Sequence, residues 1–185
     1  NKIMSESLEN FTNIVKEDIK EAKTLFFSEA FKEEYLKDRR EEKELYHQLL
    51  LGRNRNQILE EFLLSSGQKK PVLLSAAKTI YQATIMNLDE PLEIKVKREG
   101  WGYLVGRIKS DGTFLSLHKN TFQAEDFEDG TLTIYADMKT IPKDGDIDHL
   151  IIQTVYQTLQ IEVVDKEQKS ERKKEEEFRQ KKLIE

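Results

Sequence analysis

The first third of the chain has apolar residues three and four positions apart, the spacing that places them on one face of a helix. Between positions 5 and 66 this pattern recurs several times, with lysine and glutamate at the intervening positions and no proline. Asn54 or Asn56 can cap a helix, Gly52 stands where a left-handed residue ends one, and Gly67 is a helix stop. We therefore predict several short amphipathic helices. The apolar positions that carry this prediction are Leu8, Phe11, Ile14, Val15, Ala22, Leu25, Phe26, Ala30, Phe31, Tyr35, Leu36, Leu45, Tyr46, Leu49, Leu50, Leu51, Ile58, Leu59, Phe62 and Leu63.

From Lys70 onward the apolar period changes towards two, and proline, glycine and β-branched residues become frequent. The alternation is sharpest in "LEIKVK" at 92–97 and "YLVGRIK" at 103–109. Asp111–Gly112, between two such runs, predicts a hairpin turn. Short strands with a turn about every ten residues are typical of a β-sandwich. The predicted strands are Val72–Ser75, Thr79–Asn87, Leu92–Lys97, Tyr103–Lys109, Phe114–Leu117, Thr131–Ala136, His149–Thr154 and Thr158–Val164.

The last twenty-one residues, "DKEQKSERKKEEEFRQKKLIE" from Asp165, are mostly charged. Glu175 with Arg179 and Glu177 with Lys181 have the i,i+4 order that supports an exposed helix. The predicted fold class is therefore α+β, with an N-terminal helical subdomain (1–67), an immunoglobulin-like antiparallel β-sandwich (68–164) and a charged C-terminal helix (165–185). This helix would lead into a region beyond the chain, and the missing initiator methionine also indicates a piece of a larger protein.

The composition limits the partners and the compartment. The chain is 35% charged with a net charge of −5, and both signs are mixed along it, which argues against a nucleic-acid partner. The absence of cysteine excludes disulfides, thiol chemistry and Cys-ligated zinc. No apolar run approaches the roughly 18 residues of a membrane span, so we predict no membrane insertion in this segment. A cytoplasmic location is favoured because no targeting signal is seen, but the compartment stays open.

Catalytic and metal-binding motifs are not recognisable. His47, His118 and His149 have no ligand spacing, and the chain contains neither a G-x-S-x-G elbow nor a phosphate-binding G-x-x-x-x-G-K loop. A nucleophile needs a base and an orienting group, and no arrangement of this kind is recognisable. We therefore predict a chain that is not an enzyme and holds no cofactor or structural metal.

Two acidic stretches are compared with calcium loops. "AEDFEDG" contains Asp126 and Asp129, and "PKDGDID" contains Asp144, Asp146 and Asp148. The first lacks the regular oxygen spacing with a central glycine and a terminal glutamate that a calcium loop uses, and in the second the aspartates alternate but no distal glutamate follows at the required spacing. Ordinary turns are the preferred interpretation, with weak calcium binding as the alternative.

The stretch "GWGY" contains the candidate ligand-binding residues Trp101 and Tyr103. One interpretation is that they form an exposed aromatic surface on which a sugar stacks. The other is that Gly100 and Gly102 supply unusual backbone angles at a strand entry, and that Trp101 closes one end of the sandwich core. We prefer the second interpretation.

Residues 93–164 resemble the immunoglobulin-like sandwich modules found widely in large bacterial proteins. The segments that match are "REGWGYL" at 98–104, "IKSDGTFLSL" at 108–117, "LTIYAD" at 132–137, "IPKDG" at 141–145 and a closing hairpin.

A second resemblance covers nearly the whole chain. The segments "IKEAKTLFFSEAF" at 19–31, "NQILEEFLLS" at 56–65 and "GWGYLVGRIKSDGTFLSLHK" at 100–119 resemble an uncharacterised domain-of-unknown-function family. Its members are very large multidomain proteins of anaerobic Gram-positive bacteria, with immunoglobulin-like (BACON-like) modules and helical repeats. The resemblance implies no catalytic residues.

These observations favour a non-catalytic structural or protein-interaction module of a larger multidomain protein. Its partner would be another protein, or other domains of the same chain. The alternative is a carbohydrate-binding module that uses Trp101 and Tyr103, with a glycan as partner.

Overall fold

The computed structural model describes residues 6–112, 114–143 and 145–165, together with 178, 179 and 181. The chain divides into two units. The first contains the chain up to Pro71 and, in addition, Gly100–Tyr103, whereas the second contains Val72–Glu99 and the chain from Leu104 onward. Within the described residues, five named helices lie in the first unit and the strands in the second, so the α+β class is confirmed. The predicted charged helix at 165–185 falls almost entirely outside the described residues.

The helical unit is built from five short helices in the described residues, three of which have a side-chain cap at the N-terminus. Asn54 caps the last of them as predicted, since its Oδ1 accepts a hydrogen bond from the amide of Gln57 (3.1 Å). Gly67 follows the end of this helix, as predicted, and has a φ of 77°. Leu50 and Leu51, which the prediction places on an apolar helix face, are exposed, so that part of the prediction is wrong. Gly52 does not adopt a positive φ, so that expectation is wrong; a Cβ there would meet the carbonyl oxygen of Leu49 at 3.2 Å. The helices are α1 (Leu8–Glu17), α2 (Ile19–Phe26), α3 (Ala30–Tyr35), α4 (Arg40–Leu49) and α5 (Arg55–Ser65).

The core of the helical unit is a cluster of aromatic rings. Phe11, Phe26, Phe31 and Phe62 are completely buried, and their ring centroids lie between 4.7 and 5.9 Å apart in the contacting pairs. Each buried ring contributes roughly 1.5–3 kcal/mol through removal from water. Tyr46 joins the cluster, and its hydroxyl donates to the carbonyl oxygen of Phe26. Burial disfavours the phenolate and raises the pKa of Tyr46.

The second unit is a β-sandwich of two mostly antiparallel sheets. One sheet has the order β1-β3-β7-β5 and the other β2-β9-β8-β4-β6, with β2 and β9 parallel. Without β2 and β6, this is the ABED and CFG grouping of immunoglobulin-type sandwiches. The strands are β1 (Leu73–Ala76), β2 (Ile80–Gln82), β3 (Leu92–Glu99), β4 (Val105–Ser110), β5 (Leu115–Leu117), β6 (Thr121–Gln123), β7 (Thr131–Met138), β8 (Ile147–Gln153) and β9 (Thr158–Val164).

The prediction of a hairpin at Asp111–Gly112 is wrong, because β4 and β5 lie in different sheets and do not pair with each other. The chain crosses between the sheets here, and the completely buried carboxylate of Asp148 fixes the crossing. It accepts hydrogen bonds from the amides of Gly112 (3.0 Å) and Leu115 (3.2 Å) and from the hydroxyl of Ser110. A Cβ at position 112 would lie 2.3 Å from this carboxyl group, so glycine is needed for close approach.

Two further differences concern strand extent. The predicted strand Thr79–Asn87 is a three-residue strand, β2, followed by a 3₁₀ turn at Ile85–Leu88. Strand β6 was not predicted. The other predicted strands are present with ends shifted by at most two residues, because their alternation matches one buried face.

Candidate interaction sites

Trp101 and Tyr103 lie in a loop whose two glycines have left-handed backbone angles. Gly100 and Gly102 have φ values of 102° and 103°, which confirms the unusual geometry predicted for them. The expectation that Trp101 closes an end of the sandwich core is wrong, since its half-buried ring packs against the core of the helical unit. The loop residues thus form part of the helical unit, although they connect two strands.

A buried ion pair holds this loop. The ammonium group of Lys69 donates to the carboxylate of Glu60 and to the carbonyl oxygen of Trp101. The side chains of Lys69 and Glu60 are 1% and 3% exposed. A Cβ on Gly102 would meet Lys69 Nζ at 2.5 Å, so the loop approaches the lysine as closely as a glycine allows.

The ring of Trp101 is already in contact with cations. Lys69 Nζ lies 4.4 Å and Lys16 Nζ 5.0 Å from its centroid, both within the range of cation–π attraction. Tyr103 has a different partner, since its hydroxyl accepts a hydrogen bond from Asn54 Nδ2 at 3.3 Å. Among the described residues no ring contact joins Trp101 to Tyr103. This arrangement favours a structural role for Trp101 over a flat, open sugar platform.

The three histidines contact side chains that are not arranged as metal ligands in the described residues. His118 Nε2 lies 2.8 Å from Asp137, and His149 Nδ1 lies 3.1 Å from Asp111. His47 packs edge-on against the ring of its neighbour in α4. In the part of the chain that the structure describes, no three His, Asp or Glu side chains are grouped as ligands for a metal ion.

Three of the acidic residues considered for calcium accept hydrogen bonds from backbone amides. Asp126 accepts from the amide of Gln123, and Asp146 from that of Lys143. Asp148 is the buried acceptor described above, Asp129 is an exposed left-handed turn residue, and Asp144 lies outside the described residues. None of the described helices is long and apolar enough to cross a membrane.

Two adjoining clefts border the edge of the sandwich beside β6. Their volumes are about 940 and 800 Å³, and they share His118, Lys119, Thr121, Phe122 and Asp126. The lining is about evenly polar and apolar and carries both charges, whereas small-molecule sites are typically lined mainly by apolar side chains.

The most distinctive exposed feature is the 3₁₀ turn at Ile85–Leu88, which was not recognised in the sequence. Ile85 and Met86 are 54% and 61% exposed, and Leu88 is also exposed. Asn87, between them, is buried: its Oδ1 accepts from the amide of Thr84 (2.8 Å) and its Nδ2 donates to the carbonyl of Glu90 (3.1 Å). The spacing of Thr84 and Asn87 is a capping-box signal that could have predicted this turn.

Two more exposed isoleucines lie at the same end of the sandwich. The amide of Ala83, just before the turn, donates a hydrogen bond to the carbonyl oxygen of Val164 (2.9 Å). Val164 is paired in register with Ile147, the first residue of β8. The turn also contacts β7, and Ile141 follows three residues after the end of that strand. We define the apolar end patch as Ile85, Met86, Leu88, Ile141 and Ile147.

A family model described as the N-terminal part of a family of unknown function, DUF5717, matches residues 2–185. The chain belongs to the DUF5717 family. The predicted membership of a family of unknown function is therefore confirmed. The organisms in which the family occurs and its multidomain context stay predictions. No curated protein matches this DUF5717 chain.

Solved structures resemble half of the DUF5717 chain. The crystal structure of the apo form of the Calx CBD1 domain is 12% identical, with a TM-score of 0.35, and covers 52% of this chain and 98% of that one. The crystal structure of a FixG-related protein from Vibrio parahaemolyticus is 14% identical, with a TM-score of 0.31, and covers 52% and 95%.

Proposed function

We propose that this chain is a non-catalytic protein-interaction module of a larger protein, and that it binds through the apolar end patch. The observation that carries the proposal is the 3₁₀ turn, in which a buried, hydrogen-bonded asparagine holds Ile85 and Met86 in solvent. Exposed apolar side chains on an ordered segment mark interaction surfaces, and methionine is enriched at interfaces.

The ionisable groups support the non-catalytic part of the proposal. His118 and His149 contact carboxylates, and no hydroxyl group hydrogen-bonds either imidazole in the described residues. The hydroxyl of Ser110 donates to Asp148. The carboxylate of Asp148 is completely buried and also accepts from two backbone amides, which supports a structural role for this pair rather than activation of a nucleophile.

Photocrosslinking tests the proposal. Benzoylphenylalanine is placed at position 86 of the full-length parent protein, and at position 155 as the matched control. Val155 is 65% exposed but lies in the β8–β9 turn, at the other end of the sandwich. We expect a protein adduct from position 86 that maps to one surface and is reproduced with the purified partner. Equal, scattered adducts from both positions would contradict the proposal.

A further inference from the structure

The apolar end patch is large enough to form an interface. Its five side chains are each between 39% and 61% exposed, which places the patch on the order of a few hundred Å². Two such patches facing each other, with their polar surroundings, would bury on the order of 1,000 Å², the size at which specific interfaces between proteins begin.

The rim of the patch carries both charges. Asp89 and Glu90 follow the 3₁₀ turn, while Lys139 and Lys143 flank Ile141, and all four are exposed. In a two-fold arrangement each surface meets an identical surface, so a rim of one sign would repel itself. A mixed rim allows carboxylates of one copy to face ammonium groups of the other, which makes the patch compatible with a second copy.

Association through strand edges is blocked or limited. The side-chain amide of Gln157 accepts from the amide of Leu74 and donates to its carbonyl (2.8 and 2.7 Å), so it occupies the open edge of β1 as a neighbouring strand would. The other edge strands, β2, β5 and β6, have three residues each. Short and covered edges disfavour sheet-to-sheet pairing, so the apolar end patch is better suited to self-association than a strand edge.

From these observations we infer that two copies of this chain associate through their apolar end patches, in an arrangement where each patch contacts the other. The inference rests on the proposed function and names its partner. The contact buries Ile85 and Met86 of both copies at its centre.

Sedimentation equilibrium of the purified 185-residue chain, over micromolar to submillimolar concentrations, tests the inference. We expect the mass to rise with concentration towards twice the 21.7 kDa of one chain. Met86→Glu and Met86→Lys should each weaken dimerisation at least about tenfold, since a central apolar contact is lost whichever charge replaces it. Val155→Glu, at the other end of the sandwich, should leave the dimer unchanged.

The outcomes separate this inference from the proposed function. The inference that the partner is a second copy is overturned if the chain stays monomeric at every concentration. It is also overturned if the dimer persists in both variants at position 86. If the photocrosslink from position 86 then reaches a different protein, the proposed function stands without self-association. If the exposed side chain of Met86 resists oxidation by hydrogen peroxide in a monomer, another part of the same chain covers the patch, and the inference is again overturned.

Discussion

The ammonium group of Lys69 donates to the carboxylate of Glu60, and the two side chains are 1% and 3% exposed. A buried pair of this kind adds little net stability, but removing one partner leaves an uncompensated charge in the interior. We expect Lys69→Met to lower the free energy of unfolding by about 3–5 kcal/mol. The double variant Lys69→Met, Glu60→Leu should recover most of the loss, because no buried charge remains. Urea unfolding measures both, and equal losses in the two variants would contradict this account.

Gly102 provides a second test of the same loop. An alanine there must adopt a φ near 103° and bring its Cβ to 2.5 Å from the buried, paired Lys69 Nζ. We expect Gly102→Ala to cost at least about 2 kcal/mol. Gly67→Ala is the matched control in the same unit, since Gly67 also has a positive φ but no atom within 4 Å of its Cβ position. That variant should lose about 1 kcal/mol. Similar losses for both variants would show that the close approach to Lys69 does not matter.

Some of the fold could be predicted because the signal is local. In β3 the alternation of Ile94 and Val96 with exposed lysines follows from period two, and the structure buries that face. The crossing at Asp111–Gly112 could not be predicted in this way. Its geometry depends on Asp148, which is 36 residues from Gly112 in the sequence.

The position of Trp101 depends on distant residues for the same reason. Its backbone is held by Lys69, 32 residues earlier, in a unit that the sequence separates from the loop. Spacing rules describe only neighbours along one helix or strand. They could identify "GWGY" as unusual backbone, but not the core against which the ring packs.

The side-chain amide of Gln157 covers the edge of β1 at Leu74, and substitution of this residue tests that role. Gln157→Ala removes both hydrogen bonds to the main chain of Leu74. We expect a loss of about 1–2 kcal/mol in unfolding free energy and faster hydrogen exchange at the amide of Leu74. Gln160→Ala, at an exposed position of β9, is the control and should change stability by less than about 0.5 kcal/mol. Unchanged exchange at Leu74 would argue against the edge-covering role.

The buried tyrosines predict a loss of stability at alkaline pH. The pKa values of Tyr35 and Tyr46 are raised, in both cases mainly by burial, which favours the neutral phenol in the folded state. The folded pKa exceeds the unfolded value of about 10, so this contribution is complete below pH 10 and is lost as the pH rises through the folded pKa. Unfolding free energies measured from neutral pH upward should fall less steeply above pH 10 in Tyr35→Phe, Tyr46→Phe than in the wild type. Parallel curves would contradict the assignment.

The fluorescence and the substitution of Trp101 distinguish the structural interpretation from the carbohydrate-binding alternative. It is the single tryptophan of the chain, so intrinsic fluorescence reports its surroundings directly. Because two ammonium groups lie within 5.0 Å of the ring centroid, we expect soluble glycans to leave the emission unchanged. Trp101→Ala should lower the stability of the helical unit by about 2 kcal/mol, since a half-buried aromatic contact is removed. A saturable shift of the emission with one glycan, together with a stable Trp101→Ala variant that no longer binds it, would establish the carbohydrate site instead.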